Sequence, residues 1–393
     1  MKVRHIISTN GRLVHDPVSE PASGVVGAAL GFARHQARMG NSVDVWGWND
    51  SRPRQKAVWS GVRLWSSSMW RWARFARWDV SWLAPVWLHN LTQPPVDVLH
   101  AHVDPNLLYI PGARIRLLHL QTPVPEPFPP AYRRLLDRAD AVICCSDFIR
   151  TRFLAVSGYP EGRTLVVHNG ADPGAYLSAD RNSQRTRWNL TPNDFVVLYS
   201  GAIVPEKGVD HLIRAFAQLQ ASVPNAVLLV AGGARLWALH EGKPSGDSYE
   251  SGVRRLAEGL NVRFLGLVPR GEIPSVYSAA DVAVIPSVWD DPHPTVVCEA
   301  MAAGRPVVAS RAGGITETVA HGQTGFLVSP GDELQLSAAL LELSQNERLR
   351  QQMGEAARER AKRFSWEASA ERLDRVYQRL LAEKDGHKLV GIL

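Results

Sequence analysis

Cysteine is scarce in this chain: among 393 residues only Cys144, Cys145 and Cys298 carry thiols. Two adjacent cysteines and a distant third cannot build a disulfide framework, which excludes small stapled folds and favours a reducing cytoplasm. Long apolar runs are missing as well. No stretch of roughly eighteen uncharged apolar residues occurs, so no transmembrane helix is expected. The opening Met1-Lys2-Val3-Arg4-His5-Ile6-Ile7 is too short and too polar for a signal peptide and reads as a first strand. Neither an Asp-x-Asp metal motif nor the G-x-G-x-x-G spacing of dinucleotide loops is present. Charged residues make up 21% and apolar residues 45%, a globular balance that excludes a largely disordered chain.

What is present is length and rhythm. A chain of this size is expected to form two domains with substantial cores. Apolar strand-like runs alternate with helical patterns, which predicts parallel α/β architecture. In the first half strands are expected near 3–8, 42–47, 97–101, 115–120, 141–145 and 164–168. In the second half they fall near 195–200, 226–231, 262–267, 282–286, 306–309 and 325–328. Residues 173–193 break this rhythm with Pro173-Gly174 and a polar run, and read as the linker. Each half then forms a doubly wound sheet, with a ligand expected in a cleft near the carboxyl ends of the strands. The charge is uneven. Residues 1–178 hold 20 Lys and Arg against 13 Asp and Glu, whereas residues 179–393 hold 24 against 25. A basic first half suits an anionic membrane, a phosphorylated substrate, or simply a solvated arginine-rich surface.

The most informative stretch runs from Asp290 to Gly304. Asp291 stands in a loop before Pro292 and Pro294, which cannot lie inside a helix, and Glu299 falls in the second turn of the helix they precede. Backbone amides around Thr295 and Val296 at that helix start form a ready anion site. A phosphate there has a carboxylate on either side, each suited to a sugar hydroxyl. That is the physical logic of nucleotide-sugar binding. Lys207 sits at the mouth of a second expected helix, 209–221, where its charge opposes the helix dipole unless a diphosphate binds.

Asp291 to Glu299, followed by Ala-Met-Ala-x-Gly-x-Pro-Val-Val, resembles the donor-site signature of the family 4 retaining glycosyltransferases, which have the GT-B fold. Ser200-Gly201-Ala202-Ile203-Val204-Pro205-Glu206-Lys207-Gly208 resembles the family's phosphate loop, and Val167-His168-Asn169-Gly170-Ala171-Asp172 its interdomain segment. Gly313-Gly314-Ile315-Thr316-Glu317 and Gly322-Gln323-Thr324-Gly325 resemble its last two signatures. The resemblance implies two Rossmann-like doubly wound domains facing a cleft. The acceptor-binding domain would span 1–178 and the donor-binding domain 179–365. Residues 366–393 would form a helix returning to the first domain and a tail.

By the same resemblance Lys207 and Gly201 contact the diphosphate, Glu299 holds the ribose and Asp291 the donor sugar. Val268 marks where the nucleotide base is held through backbone groups. Gly24 belongs to a glycine loop closing over the donor, with close helix packing as the competing reading. Gly314 is a further donor contact, with a tight turn as the alternative. His100 and His102 share one strand face, and His102 is a candidate for the cleft or else a packing histidine. A metal site would need a third ligand and none is visible, so a metal-independent enzyme is expected. Gln121 stands where many members carry a donor-facing histidine, and is taken as an acceptor-side residue. Ala202 replaces the family's usual arginine, Asp291 its usual glutamate and Pro294 a glycine.

The implied activity is a hexosyl or related glycosyl transfer from a UDP- or GDP-sugar, with no other cofactor, in polysaccharide, glycolipid or other glycoconjugate synthesis. The acceptor would be a glycan, a lipid-linked sugar or a small molecule; no nucleic-acid partner is expected. A catalytically weakened sugar-nucleotide binding protein or partner subunit is the alternative. Between residues 59 and 87 lie seven of the thirteen tryptophans, Trp59, Trp65, Trp70, Trp72, Trp78, Trp82 and Trp87, interleaved with Arg63, Arg71, Arg74 and Arg77. This segment is a candidate peripheral contact with the cytoplasmic leaflet; an aromatic core or an acceptor platform are the alternatives.

Overall fold

The computed structural model describes residues 1–7, 13, 16–17, 23–48, 55–67, 74–75, 78–79, 83–177, 180–234 and 246–386. The chain forms two compact units, Met1–His168 with Trp366–Leu393, and Asn169–Ser365.

The first unit contains β1 (Lys2–Ile7), β2 (Ser42–Trp48), β3 (Gln55–Trp59), β4 (Val62–Ser67), β5 (Arg74–Phe75), β6 (Trp78–Asp79), β7 (Val96–His102), β8 (Ala113–Leu120), β9 (Ala141–Cys144) and β10 (Thr164–Val166). Eight of these form one sheet in the order β10-β9-β8-β7-β1-β2-β4-β3, parallel except where β3 runs back along β4. Strand order reverses between β1 and β7, so the carboxyl end of β7, at His102, lies at a switch point. The helix Gly24–Arg38 buries Val26, Ala29, Leu30 and Ala33 against the sheet, on the stripe that its sequence period predicts. Ser23 caps it, accepting from the Val26 amide.

The last helix, Trp366–Lys384, inserts Trp366, Leu373, Tyr377, Leu380 and Leu381 into the same core. Trp366 meets Phe32 edge-on, with ring centroids 5.2 Å apart. It also covers Gly31 so closely that a β-carbon there would lie 2.5 Å from its ring.

The second unit contains β11 (Phe195–Ser200), β12 (Ala226–Ala231), β13 (Val262–Gly266), β14 (Val282–Ile285), β15 (Val307–Ser310) and β16 (Gly325–Val328). They form one parallel sheet in the order β13-β12-β11-β14-β15-β16. Ala226–Ala231 and Val282–Ile285 are buried throughout, as expected of central parallel strands covered on both faces. The order reverses between β11 and β14, and the loops at their carboxyl ends carry Lys207 and Asp291.

Two expectations need correction. The division between units falls at 168/169, and residues 173–193 are not a linker. They include helices Pro173–Leu177 and Arg181–Arg187, and Arg185 is buried against Asp281 (2.7 Å) and the Ala279 carbonyl (3.2 Å). The tryptophan-rich segment also includes strands. Trp65 on β4 is core, stacked on His89 at 4.1 Å and tilted against Trp46. Trp59 is half-buried on β3, and Trp87 is 40% exposed on the helix Leu83–Leu91. Trp70, Arg71, Trp72, Arg77 and Trp82 lie outside the described residues, as do the side chains of Arg74 and Trp78. No helix among the described residues is long and apolar enough to cross a membrane.

Candidate active site

Two loops interlock at the switch point of the second unit. The loop after β11 passes through the helical turn Pro205–Lys207 to Gly208, and the loop after β14 runs from Pro286 to Pro294. The Val288 amide donates to the Glu206 carbonyl at 3.0 Å. Gly208 has a φ of 63°, and a β-carbon there would come within 2.2 Å of the Pro286 carbonyl oxygen, so a glycine is required. This contact delivers Lys207 to Asp291. Their side chains form a short ion pair, and the ammonium also lies 5.4 Å from the Trp289 ring centroid.

Asp291 is held from behind by the turn that carries Gly313 and Gly314. The Gly314 amide donates to the Asp291 carbonyl at 2.8 Å, and a β-carbon on Gly313 would lie 2.2 Å from that same oxygen. The Gly314 amide is thus spent on supporting the loop. His293 adds a second brace. Its Nε2 is 3.1 Å from Thr318 Oγ1, and its carbonyl accepts from Asn169 Nδ2 at 3.1 Å.

The helix Thr295–Ala302 begins directly after Pro294, and no side chain caps it. Its first amides, at Thr295 and Val296, are thus left without a side-chain cap at the end of the loop that holds Asp291. Glu299 is half-buried one turn further on. Burial pushes its carboxyl upward, opposed by the charge of Arg270 and by the Tyr277 hydroxyl.

Gly201 donates its amide to Ala231 at 2.9 Å, and the Ala202 carbonyl accepts from the Tyr199 hydroxyl at 2.5 Å. Val268, half-buried, follows β13. A pocket at the carboxyl ends of β12 and β13 is lined by Gly232, Gly233, Ala234, Glu250, Gly266 and Leu267.

In the first unit a β-carbon on Gly24 would meet nothing within 4 Å among the described residues, whereas Gly31 is packed closely under Trp366. His102 is fully buried and does not face open solvent. Its Nε2 is 3.0 Å from His5 Nδ1, and the nitrogens of His5, His100 and His102 lie within 4.8 Å of one another. His5 is the third imidazole that sequence reasoning missed. It lies opposite His100 only because β1 and β7 pair in that register, and a single sequence carries no signal for register. Arg270, Tyr277, Asn169 and His293 were missed for the same reason, since their roles are contacts across the fold. Gln121 follows β8 at 8% exposure.

Residues 180–360 match the family described as glycosyl transferases group 1, and residues 22–175 match glycosyltransferase family 4. The chain is 35% identical over 263 residues to a D-inositol 3-phosphate glycosyltransferase of Catenulispora acidiphila, covering 64% of this chain and 58% of that protein. It is 32% identical over 262 residues to the enzyme of the same name from Nocardioides sp., covering 64% and 56%. The chain thus spans little more than half the length of the curated relatives it matches. Among solved structures it superposes on a sucrose-phosphate synthase from Thermosynechococcus elongatus with a TM-score of 0.79 at 22% identity, covering 98% of this chain and all of that one. Anabaena HepE, solved with UDP and glucose, gives 0.74 at 22% identity, covering 96% and 99%. Both likenesses are of fold.

Proposed function

The chain belongs to the family 4 glycosyltransferases, and from that premise we propose that it moves a sugar from a nucleoside diphosphate sugar to an acceptor hydroxyl with retention at the anomeric carbon. One observation carries this reading: Lys207 and Asp291 are paired at the switch point, beside an uncapped helix start that leads to Glu299. Lys207 and the Thr295 and Val296 amides stabilise the charge that develops on the leaving diphosphate as its bond to the anomeric carbon breaks. The acceptor oxygen bonds to that carbon from the same face. Its proton passes to the departing phosphate oxygen, so no protein base is required. Asp291 accepts from a donor-sugar hydroxyl and Glu299 from the ribose hydroxyls. The base lies by Val268, at the pocket beyond β12 and β13.

A UDP-sugar is the first donor to test, because HepE of the same fold was solved with UDP. A sugar or polyol phosphate is the first acceptor, given the names of the matched relatives. Incubation with UDP-sugars and such acceptors should release UDP and give a product whose anomeric configuration matches the donor's. Inverted product would refute retention, and the absence of stabilisation by any nucleoside diphosphate would refute the donor site. Ala202, which leaves one expected phosphate contact unmade, favours a second reading as a sugar-nucleotide binding subunit. Nucleotide binding without turnover or donor hydrolysis would select it.

A further inference from the structure

Four histidines share one face of the first sheet, and part of their hydrogen bonding has a fixed direction. His5 lies opposite His100 across β1 and β7, and His102 opposite His119 across β7 and β8; all four are fully buried. The directed row starts at Asp374 on the last helix. Its two carboxylate oxygens accept from Gln36 Nε2 at 3.0 Å and Asn41 Nδ2 at 2.7 Å. With its amide nitrogen turned to a carboxylate, Gln36 presents its carbonyl oxygen to His5 Nε2 at 2.7 Å. A carbonyl only accepts, so His5 carries its proton on Nε2.

Burial pushes His5 down to about 4 and His102 well down, so both rings are neutral near pH 7. His5 Nδ1 is therefore a lone pair, and His102 Nε2, 3.0 Å away, donates to it. A neutral imidazole has one N–H, which leaves the second lone pair of the row on His102 Nδ1. The other branch, His119 to His100 (3.1 Å) to the Tyr377 hydroxyl (2.5 Å), has no such direction, because a hydroxyl donates or accepts.

Gln121 lies against His102, where its side chain hydrogen-bonds the protonated ring and so favours it; the neutral ring makes no such bond. His102 Nδ1 and both amide atoms of Gln121 are buried and have no hydrogen-bond partner among the described residues. Three such atoms together, at the carboxyl end of the strands beside the switch point, are costly unless a ligand or a bound water completes them.

We propose that Asp374, Gln36 and His5 form a polarity lock that holds a lone pair on His102 Nδ1, so that His102 and Gln121 together receive a vicinal diol. One ligand hydroxyl donates to Nδ1 and accepts from the Gln121 amide nitrogen; its neighbour donates to the Gln121 carbonyl. The ligand's being a sugar or polyol acceptor rests on the function proposed above, whereas the lock itself does not. Asp374, Gln36 and His5 act as positioning residues.

Nitrogen NMR of isotope-labelled histidine in the full chain reads the tautomers directly. His5 and His102 should both be protonated on Nε2 and bare on Nδ1. In Asp374→Asn the Gln36 amide is free to turn and both rings should show mixed tautomers, while Asp374→Glu restores one. A His102 protonated on Nδ1 in the unaltered protein overturns the lock whether or not the variants fold, as does a tautomer indifferent to Asp374→Asn. Titration with glycerol to molar concentration should shift His102 Nδ1, and Gln121→Leu should abolish the shift. No shift at His102 overturns the diol site. Nucleoside diphosphate binding, measured by calorimetry on the same samples, should be unchanged by these substitutions; its absence from the unaltered protein would instead count against the donor reading.

Discussion

Lys207→Ala separates the ion-pairing role of this ammonium from the catalytic role proposed for it. Its partner Asp291 is 6% exposed and Lys207 itself 19%, so the pair is largely but not wholly desolvated. Removing one member of a fully buried pair costs about 3–5 kcal/mol; with the partial hydration here we expect about 2 kcal/mol. That lowers the melting temperature of a unit this size by roughly 4–8 °C. The catalytic role is separate. A cation that stabilises a leaving diphosphate contributes about 3 kcal/mol to the transition state, so kcat/KM should fall roughly 150-fold. Lys207→Ala combined with Asp291→Asn removes the unpaired charge, and should regain most of the melting temperature without regaining turnover. Scanning calorimetry follows the first effect and UDP release the second. Folded Lys207→Ala with near-normal turnover would refute the diphosphate role. Turnover recovered in the double variant would show that Lys207 only neutralises Asp291.

Glu299→Gln should weaken nucleoside diphosphate binding roughly tenfold, because an amide makes weaker bonds to two ribose hydroxyls than a carboxylate does; unchanged affinity by calorimetry would make Glu299 structural. Gly31→Ala should destabilise the first unit by about 1–3 kcal/mol, since its β-carbon meets the Trp366 ring at 2.5 Å. An unchanged denaturant midpoint would mean that the ring moves freely. Acid should unfold the first unit early. Burial depresses His5 to about 4 and His119 to about 3 from the ordinary 6.5, and lowers His100 and His102 as well. Between these values the unfolded chain binds protons that the folded chain refuses. The histidines' contribution is therefore whole above pH 6.5 and is lost as pH falls, at up to about 1.4 kcal/mol per histidine per pH unit. Melts between neutral pH and about pH 4 check this, and a transition that does not move would refute it.

The sheet of the second unit was legible because its central strands are buried on both faces and read as unbroken apolar runs, as at Ala226–Ala231. The region 55–79 was not. In β4 every position but Arg63 is buried, and the charge of Arg63 with the hydroxyls of Ser66 and Ser67 masks a strand that carries Trp65 into the core. The residues proposed for the donor site could be named from local chemistry, since Asp291, Thr295 and Glu299 belong to one loop and one helix. That Lys207 would pair with Asp291 depends on β11 lying beside β14, which follows from strand order and not from spacing. The row from Asp374 to His102 was out of reach for the same reason. It joins residues from the last helix, the first helix and two strands, and of these only His102 stands out in its own stretch of sequence.

The last helix also sets an order of assembly. Residues 169–365 are continuous, so the second unit has all its strands once that stretch leaves the ribosome. The first unit does not, because Trp366, Leu373, Tyr377 and Leu381 of its core are synthesised last. The nascent first half must wait, with the apolar flank of Phe32 uncovered, for some two hundred residues of intervening chain to emerge. Nascent-chain length therefore becomes a folding variable. Chains arrested just before Trp366 should present a protease-resistant second half attached to a susceptible first half, and release of the final helix should convert the first half to a resistant form.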